Sequence, residues 1–250
     1  MKVVALLSGG KDSCYNMVEC VRHGHDIIAL ANAHPDPTLG QDELDSYLFQ
    51  TVGYDAVPMI AECMELPLYR RVIHGKPLKQ TLDYNEVVTD DETEDLYELM
   101  KEVKANHPDV EGVSVGAIFS SYQGKRVQHI CDRLGLTMLA YLWERDQRTL
   151  LKEMYENGME CVLIKVAAIG LKPVHLGKTI REMYPLLCEL SDKYGVHICG
   201  EGGEFESYTL DCPLFKRRIV IDKAETIMHS DDDFSPVAYL KLCDLHTEPK

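Results

Sequence analysis

The chain has 250 residues, 45% of them hydrophobic and 27% charged, with a formal net charge of −15. That length accommodates one large or two modest domains with a proper core, and no run of about eighteen apolar residues is present to span a membrane. The acidic balance disfavours a nucleic-acid substrate, whose phosphates are gripped by Lys and Arg; a cationic or protein partner is easier to accommodate. Nine cysteines are scattered without a Cys-x-x-Cys pair, and ten histidines form no ligand pattern. Reduced core thiols of a cytoplasmic protein are therefore expected, with no protein-held metal centre. The N-terminus enters a strand directly, leaving no signal peptide.

In chain order, the apolar residues 3–7 predict a first strand. Ser8-Gly9-Gly10-Lys11-Asp12-Ser13 follows at once and opens a helix whose Cys14, Met17, Val18 and Val21 form one buried stripe. His23-Gly24 reads as its stop. The adjacent glycines let the backbone turn with its N–H groups converging, and the helix adds its unpaired amides and positive end. Ser8 and Ser13 offer hydroxyls and Lys11 a positive charge. Together they predict a phosphate cradle, but not the common mononucleotide P-loop, whose first Gly stands further from its Gly-Lys-[Ser/Thr] end.

A second strand at 27–31 leads through a loop with Pro35 and Pro37 into a helical stretch over 43–65, which Pro67 ends before a strand at 68–72. Asp90, Asp91 and Glu92 precede a helix with Leu96, Leu99, Met100 and Val103 on one face, and read as a charged helix start. A strand at 112–115, a helix at 126–134 and a short strand at 138–140 complete the alternation. Such alternation predicts an α/β fold: a parallel five-stranded sheet with helices on both faces, with ligands bound outside the carboxyl ends of its strands.

The second half reads differently. Helices at 147–156 and 179–194 flank a strand at 161–168, and strands bunch at 208–210, 218–222, 226–229 and 237–242. This predicts a smaller C-terminal α+β domain with antiparallel pairing. The boundary is placed at 143–146, giving domains 1–145 and 146–250 with a cleft between them as the natural substrate site. Lys165, inside an apolar strand, is either a buried amine or a snorkelling structural lysine.

Glu201-Gly202-Gly203-Glu204-Phe205-Glu206 is the second unusual segment, with three carboxylates around a flexible turn after the strand-like 196–199. A solvated acidic turn is one reading. A site that holds a cation between acids and an aromatic face, or coordinates Mg²⁺, is the other.

Ser-Gly-Gly-Lys-Asp-Ser resembles the signature of the PP-loop, or N-type, ATP pyrophosphatases. Further resemblance lies in the Gly-Val-Ser-Val-Gly-Ala-Ile-Phe-Ser stretch of 112–120, in Tyr122-Gln123 with Arg126, and in Leu-Ala-Tyr-Leu-Trp at 139–143. It continues in Leu176-Gly177-Lys178, in Glu201 to Glu206, and in Asp-Cys-Pro-Leu-Phe at 211–215. Together these are similar to the diphthine–ammonia ligases, also called diphthamide synthetases, of eukaryotes and archaea. One departure is Gly124, where relatives commonly carry Arg; a guanidinium contact is then missing, or Lys125 and Arg126 supply it.

The resemblance implies a Rossmann-like, HUP-type nucleotide-binding sheet and ATP-dependent amidation of diphthine on translation elongation factor 2. Ammonium is consumed, and AMP and pyrophosphate are released through an acyl adenylate. It implies ATP and Mg²⁺ held at Ser8, Gly9, Gly10, Lys11, Asp12 and Ser13, with Lys11 and Asp12 catalytic. The end of the second strand (29–32, including Ala31) and Gly116-Ala117 are the adenine candidates. Glu201, Glu204, Phe205 and Glu206 are the candidate hosts of the diphthine trimethylammonium. No glutaminase domain is in evidence, so free ammonium is the expected nitrogen source. Rival readings are another PP-loop enzyme, tRNA-modifying or a small-molecule amide ligase, and a non-catalytic ATP-sensing module.

Overall fold

The computed structural model describes residues 1–40, 46–232 and 234–250. Five short strands, β1 (Lys2–Leu6), β2 (Asp26–His34), β3 (Leu68–Val72), β4 (Gly112–Ser114) and β5 (Thr137–Leu139), form one parallel sheet in the order β3-β2-β1-β4-β5. The chain works outward from β1 to β3, then crosses back to β4. The order therefore reverses between β1 and β4, and a crevice opens beyond their carboxyl ends.

Helices cover both faces, as expected. On one side α1 (Lys11–Arg22) and α2 (Val57–Met64) pack Cys14, Met17, Val57 and Ile60 against Val3 and Ala5. On the other, α3 (Glu92–Asn106) and α4 (Ser121–Leu134) pack Leu99, Met100, Val127 and Ile130 against Val4, Ala31 and Val113. Asp91 caps α3 through Thr93 N at 3.0 Å, in keeping with the charged helix start. It is also buried, and it accepts from the amides of Leu78 and Lys79 at 3.1 Å each.

The second half holds α5 (Gln147–Glu156), β6 (Glu160–Val166), α6 (Ile180–Tyr194), β7 (Phe205–Asp211), β8 (Arg217–Ser230) and β9 (Val237–Pro249). Its four strands pair antiparallel in the order β7-β6-β9-β8. The expected α+β arrangement is present. Leu150, Met154, Leu163, Met183 and Leu187 join the same apolar cluster as α1 and α2, so the two halves share one core. All nine cysteines are free, and all but Cys188 and Cys243 are buried.

Three local expectations need correction. The helix expected over 43–65 exists only as α2, preceded by a 3-10 turn at Tyr54–Ala56; residues 43–45 lie outside those described. Ser46 Oγ accepts from the amides of Leu48 and Phe49 at 3.1 and 2.9 Å, which competes with helix pairing. Gly53 then turns left-handed at φ 77°, and Pro58 sits in the first turn of α2. Residues 196–199 are irregular rather than strand-like. The two strands expected at 218–222 and 226–229 are one bulged strand, β8.

Candidate active site

A cleft of about 760 Å³ lies at the carboxyl ends of β1, β2 and β4 and is closed from the other side by residues 200–203 and 205–207. The Ser8–Ser13 turn sits at its base. Gly9 adopts φ 91°, which favours glycine; a Cβ on Gly10 would stand 2.6 Å from Gln50 Oε1. Ser8 Oγ accepts from Gly10 N at 3.2 Å and lies 3.2 Å from Ser13 Oγ, which donates to Gly10 O at 3.0 Å. The first amides of α1 have no partner within the helix, the usual condition of an anion-binding helix end.

The C-terminal half grips this turn. Lys11 N donates to Ser207 Oγ at 3.1 Å, Thr209 N to Gly9 O at 2.9 Å, and Gln50 Nε2 to Ser207 O at 3.1 Å. Lys11 is only 2% exposed. Its Nζ donates to Asp12 Oδ2 at 2.9 Å and to the Cys199 carbonyl, and lies 5.0 Å from the Phe205 ring centroid. Burial pulls the ammonium down, but the Asp12 carboxylate, together with the neighbouring Cys199 and Cys161, more than offsets it and Lys11 titrates above its ordinary value. Asp12 Oδ1 is buried without a hydrogen-bond partner and belongs to a residue that lines the cleft.

The four candidate substrate residues have separate fates. Both oxygens of Glu201 accept amides, from Ile118 and Phe119, at 2.8 Å each. Burial raises its carboxyl above the ordinary value, against the pull of those amides. Glu204 accepts from His197 N and does not line the cleft. The face of Phe205 carries the protein's own Lys11. Glu206 lines the cleft, 3.4 Å from Lys165 Nζ. Behind this turn His197 Nδ1 accepts from the amides of Cys199 and Glu201 at 3.2 and 3.4 Å, which places its proton on Nε2. Burial, and then Lys11, lower its pKa to about 4.

With this geometry in place, the comparison with known proteins is decisive. The family model for the diphthamide synthase N-terminal domain matches residues 1–138, and that for the diphthamide synthase C-terminal domain matches 146–241. The chain belongs to the diphthamide synthase family. It is 58% identical over 252 residues to the diphthine–ammonia ligase of Mus musculus and 56% identical over 255 residues to that of Homo sapiens, in each case over 100% of this chain and 94% of the relative. The diphthine–ammonia ligase of Schizosaccharomyces pombe is 52% identical over 242 residues, which cover 97% of this chain and 39% of that one.

In this member of the diphthamide synthase family, Ser8, Lys11, Asp12, Ser13, Ala31, Gly116, Glu201, Phe205 and Glu206 all line one cleft, whereas Gly9 and Gly10 shape the turn beside it. Gly116 also has a packing reason to be glycine: a Cβ there would stand 2.5 Å from the Asp12 carbonyl carbon. Ser207 and residues 46–51, a stretch whose pattern predicts helix, also line the cleft and carry no local sequence signal of a site. The sequence pattern alone assigns Lys165 no place at the site. Arg126 does not replace a guanidinium at position 124. It is 0% exposed, stacked 3.2 Å from the Tyr122 ring centroid, and donates to the carbonyls of Tyr122, Lys79 and Thr81. Among the described residues no three His, Cys, Asp or Glu side chains gather to hold a metal, and no helix is long and apolar enough to cross a membrane.

Proposed function

We propose that this chain catalyses the ATP-dependent amidation of diphthine on translation elongation factor 2, with ammonium as the nitrogen source and AMP and pyrophosphate as products. The observation that carries the reading is the facing of the Ser8–Ser13 turn and the 200–207 turn across one cleft, at the point where strand order reverses. Residues 1–145 then serve as the ATP-binding domain and 146–250 as the substrate domain.

A carboxylate resists ammonia because its leaving group is oxide. Attack of that carboxylate on the α-phosphorus of ATP gives an acyl adenylate, from which ammonia displaces AMP. Little covalent work falls to the protein; it positions reactants and neutralises charge. The amides of the turn and the Ser8 and Ser13 hydroxyls hold the departing pyrophosphate, and Lys11 offsets its growing charge. The apolar end of the cleft, with Leu6, Ala31, Ala33, Leu96, Val115 and Val127, suits the flat face of adenine. The unpartnered Asp12 Oδ1 would hold a water of a hydrated Mg²⁺, which would supply charge neutralisation when bound. Of the four candidates for the trimethylammonium, Glu206 lines the cleft beside Lys165, and Tyr47 is an aromatic ring lining the same cleft.

The test is to incubate the protein with ATP, Mg²⁺, ammonium and diphthine-bearing elongation factor. AMP and pyrophosphate should form in step with one amide per factor. ADP as product, or AMP formation indifferent to the factor, overturns the reading; a sensor forms no AMP at all.

A further inference from the structure

Among the described residues two cations line the cleft, Lys11 and Lys165. Lys11 is committed to Asp12 and the Cys199 carbonyl at the phosphate turn. Lys165 stands on the wall made by β6 and β7, with its Nζ 3.4 Å from Glu206 Oε1. Each side chain of this pair is 14% exposed. An ion pair this desolvated costs about as much as it returns, so it is a poor device for stability alone.

The backbone is shaped to make the pair. Leu163 opposes Ser207 and Lys165 opposes Glu206, so Ile164 is an extra residue in β6. Without that bulge Lys165 would oppose Phe205 and take the other face of the sheet. Bulges that redirect one side chain are concentrated beside active sites.

Resting on the amidation reading above, we propose that Lys165 binds the carboxylate of diphthine and presents it to ATP, while Glu206 takes the trimethylammonium. Diphthine carries both charges, and the resting ion pair is exchanged for two pairs with the substrate. Lys165 thereby offsets the repulsion between an incoming carboxylate and a triphosphate, the charge that most opposes the first step. In that step a carboxylate oxygen bonds to the α-phosphorus, the bond from that phosphorus to the bridging oxygen breaks, and its electron pair leaves with pyrophosphate. Ammonium loses one proton before its nitrogen attacks the acyl carbon and a second as the adduct collapses. Both protons leave to solvent or pyrophosphate, and AMP departs with the oxygen that began as the carboxylate's.

The assignment is tested with Lys165→Met, Glu206→Gln and the exchanged pair Lys165→Glu/Glu206→Lys. Lys165→Met should bind ATP as the parent does by calorimetry, yet lose about 100-fold in kcat/KM for factor-dependent AMP release. The exchanged pair should recover the melting temperature that the single variants lose but not the parent's activity, because the charges then face the wrong ends of the substrate. Activity restored by the exchange, Lys165→Met within about 3-fold of the parent, or ATP binding lost in Lys165→Met each overturns the assignment. A parent that forms no AMP with the factor overturns the amidation reading itself, and this assignment with it.

Discussion

Lys11 does not swing freely at a phosphate site: Asp12, the Cys199 carbonyl and the Phe205 ring fix its Nζ from three sides. A cation held in place needs no reorganisation as charge grows on the leaving group, the condition under which electrostatic stabilisation is largest. Lys11→Ala should therefore abolish AMP formation and amidation together, by about 1,000-fold, in a quenched assay that follows both products. AMP release that survives while amidation stops would remove Lys11 from the first step.

His197 makes a second prediction at this scale. Burial and the nearby Lys11 lower its pKa from an ordinary 6.5 to about 4, and its Nδ1 is needed as an acceptor for two amides. The unfolded chain takes up this proton as pH falls through 6.5, while the folded chain resists it until about 4. The favourable contribution of neutral His197 is thus complete above 6.5 and lost progressively between 6.5 and 4. NMR should find His197 neutral at pH 6, and His197→Gln should flatten the loss of unfolding free energy across that window. A native His197 that titrates near 6.5 contradicts both.

At the scale of elements, the approach of α1 to the end of β4 depends on one missing methyl group. A Cβ on Gly116 would stand 2.5 Å from Asp12 C and 2.6 Å from Ser13 N, both backbone atoms that open α1. Gly116→Ala must displace the phosphate turn and should weaken ATP binding about 10-fold or more, beyond its effect on stability. Gly112→Ala is the control. Its Cβ would meet Leu139, Thr137 O and Val3 at 3.3–3.4 Å, away from the turn. It should lower the melting temperature while leaving ATP affinity unchanged, and equal losses of affinity in the two variants would refute the packing argument.

These elements also mark what could be read from sequence. The phosphate turn was readable because its glycines, hydroxyls and lysine are consecutive, and the parallel sheet because strand and helix patterns alternate around it. Glu201 looked like a substrate ligand because nothing local reveals that its partners, the amides of Ile118 and Phe119, lie 83 and 82 residues away. The wall at 46–51 departs from the helix its pattern predicts for a related reason. Ser46 bonds the amides of Leu48 and Phe49, and is itself held by the buried Glu92 at 2.6 Å, a contact across 46 residues. Lys165 reached the site through a bulge, which alternation of apolar residues does not announce.

For the whole molecule, the decisive fact is that one apolar cluster runs from β1, α1 and α2 into β6, β7, α5 and α6. The phosphate turn is bonded to β7 through Ser207 and Thr209, and Tyr208 donates to Ala56 O at 2.7 Å from a buried hydroxyl. Neither half can leave without exposing the other's apolar face and freeing the turn that binds nucleotide. Unfolding by urea should therefore be a single cooperative transition, coincident by far-ultraviolet and near-ultraviolet circular dichroism. ATP held at about 100 times its Kd should raise the unfolding free energy of that one transition by about 2.7 kcal/mol. A fragment ending at residue 145 should show neither the sharp transition nor the ATP response. Two resolved transitions, with ATP still bound after the first, would mean that the halves fold and bind separately, and that the grip of β7 on the phosphate turn is not what holds the site together.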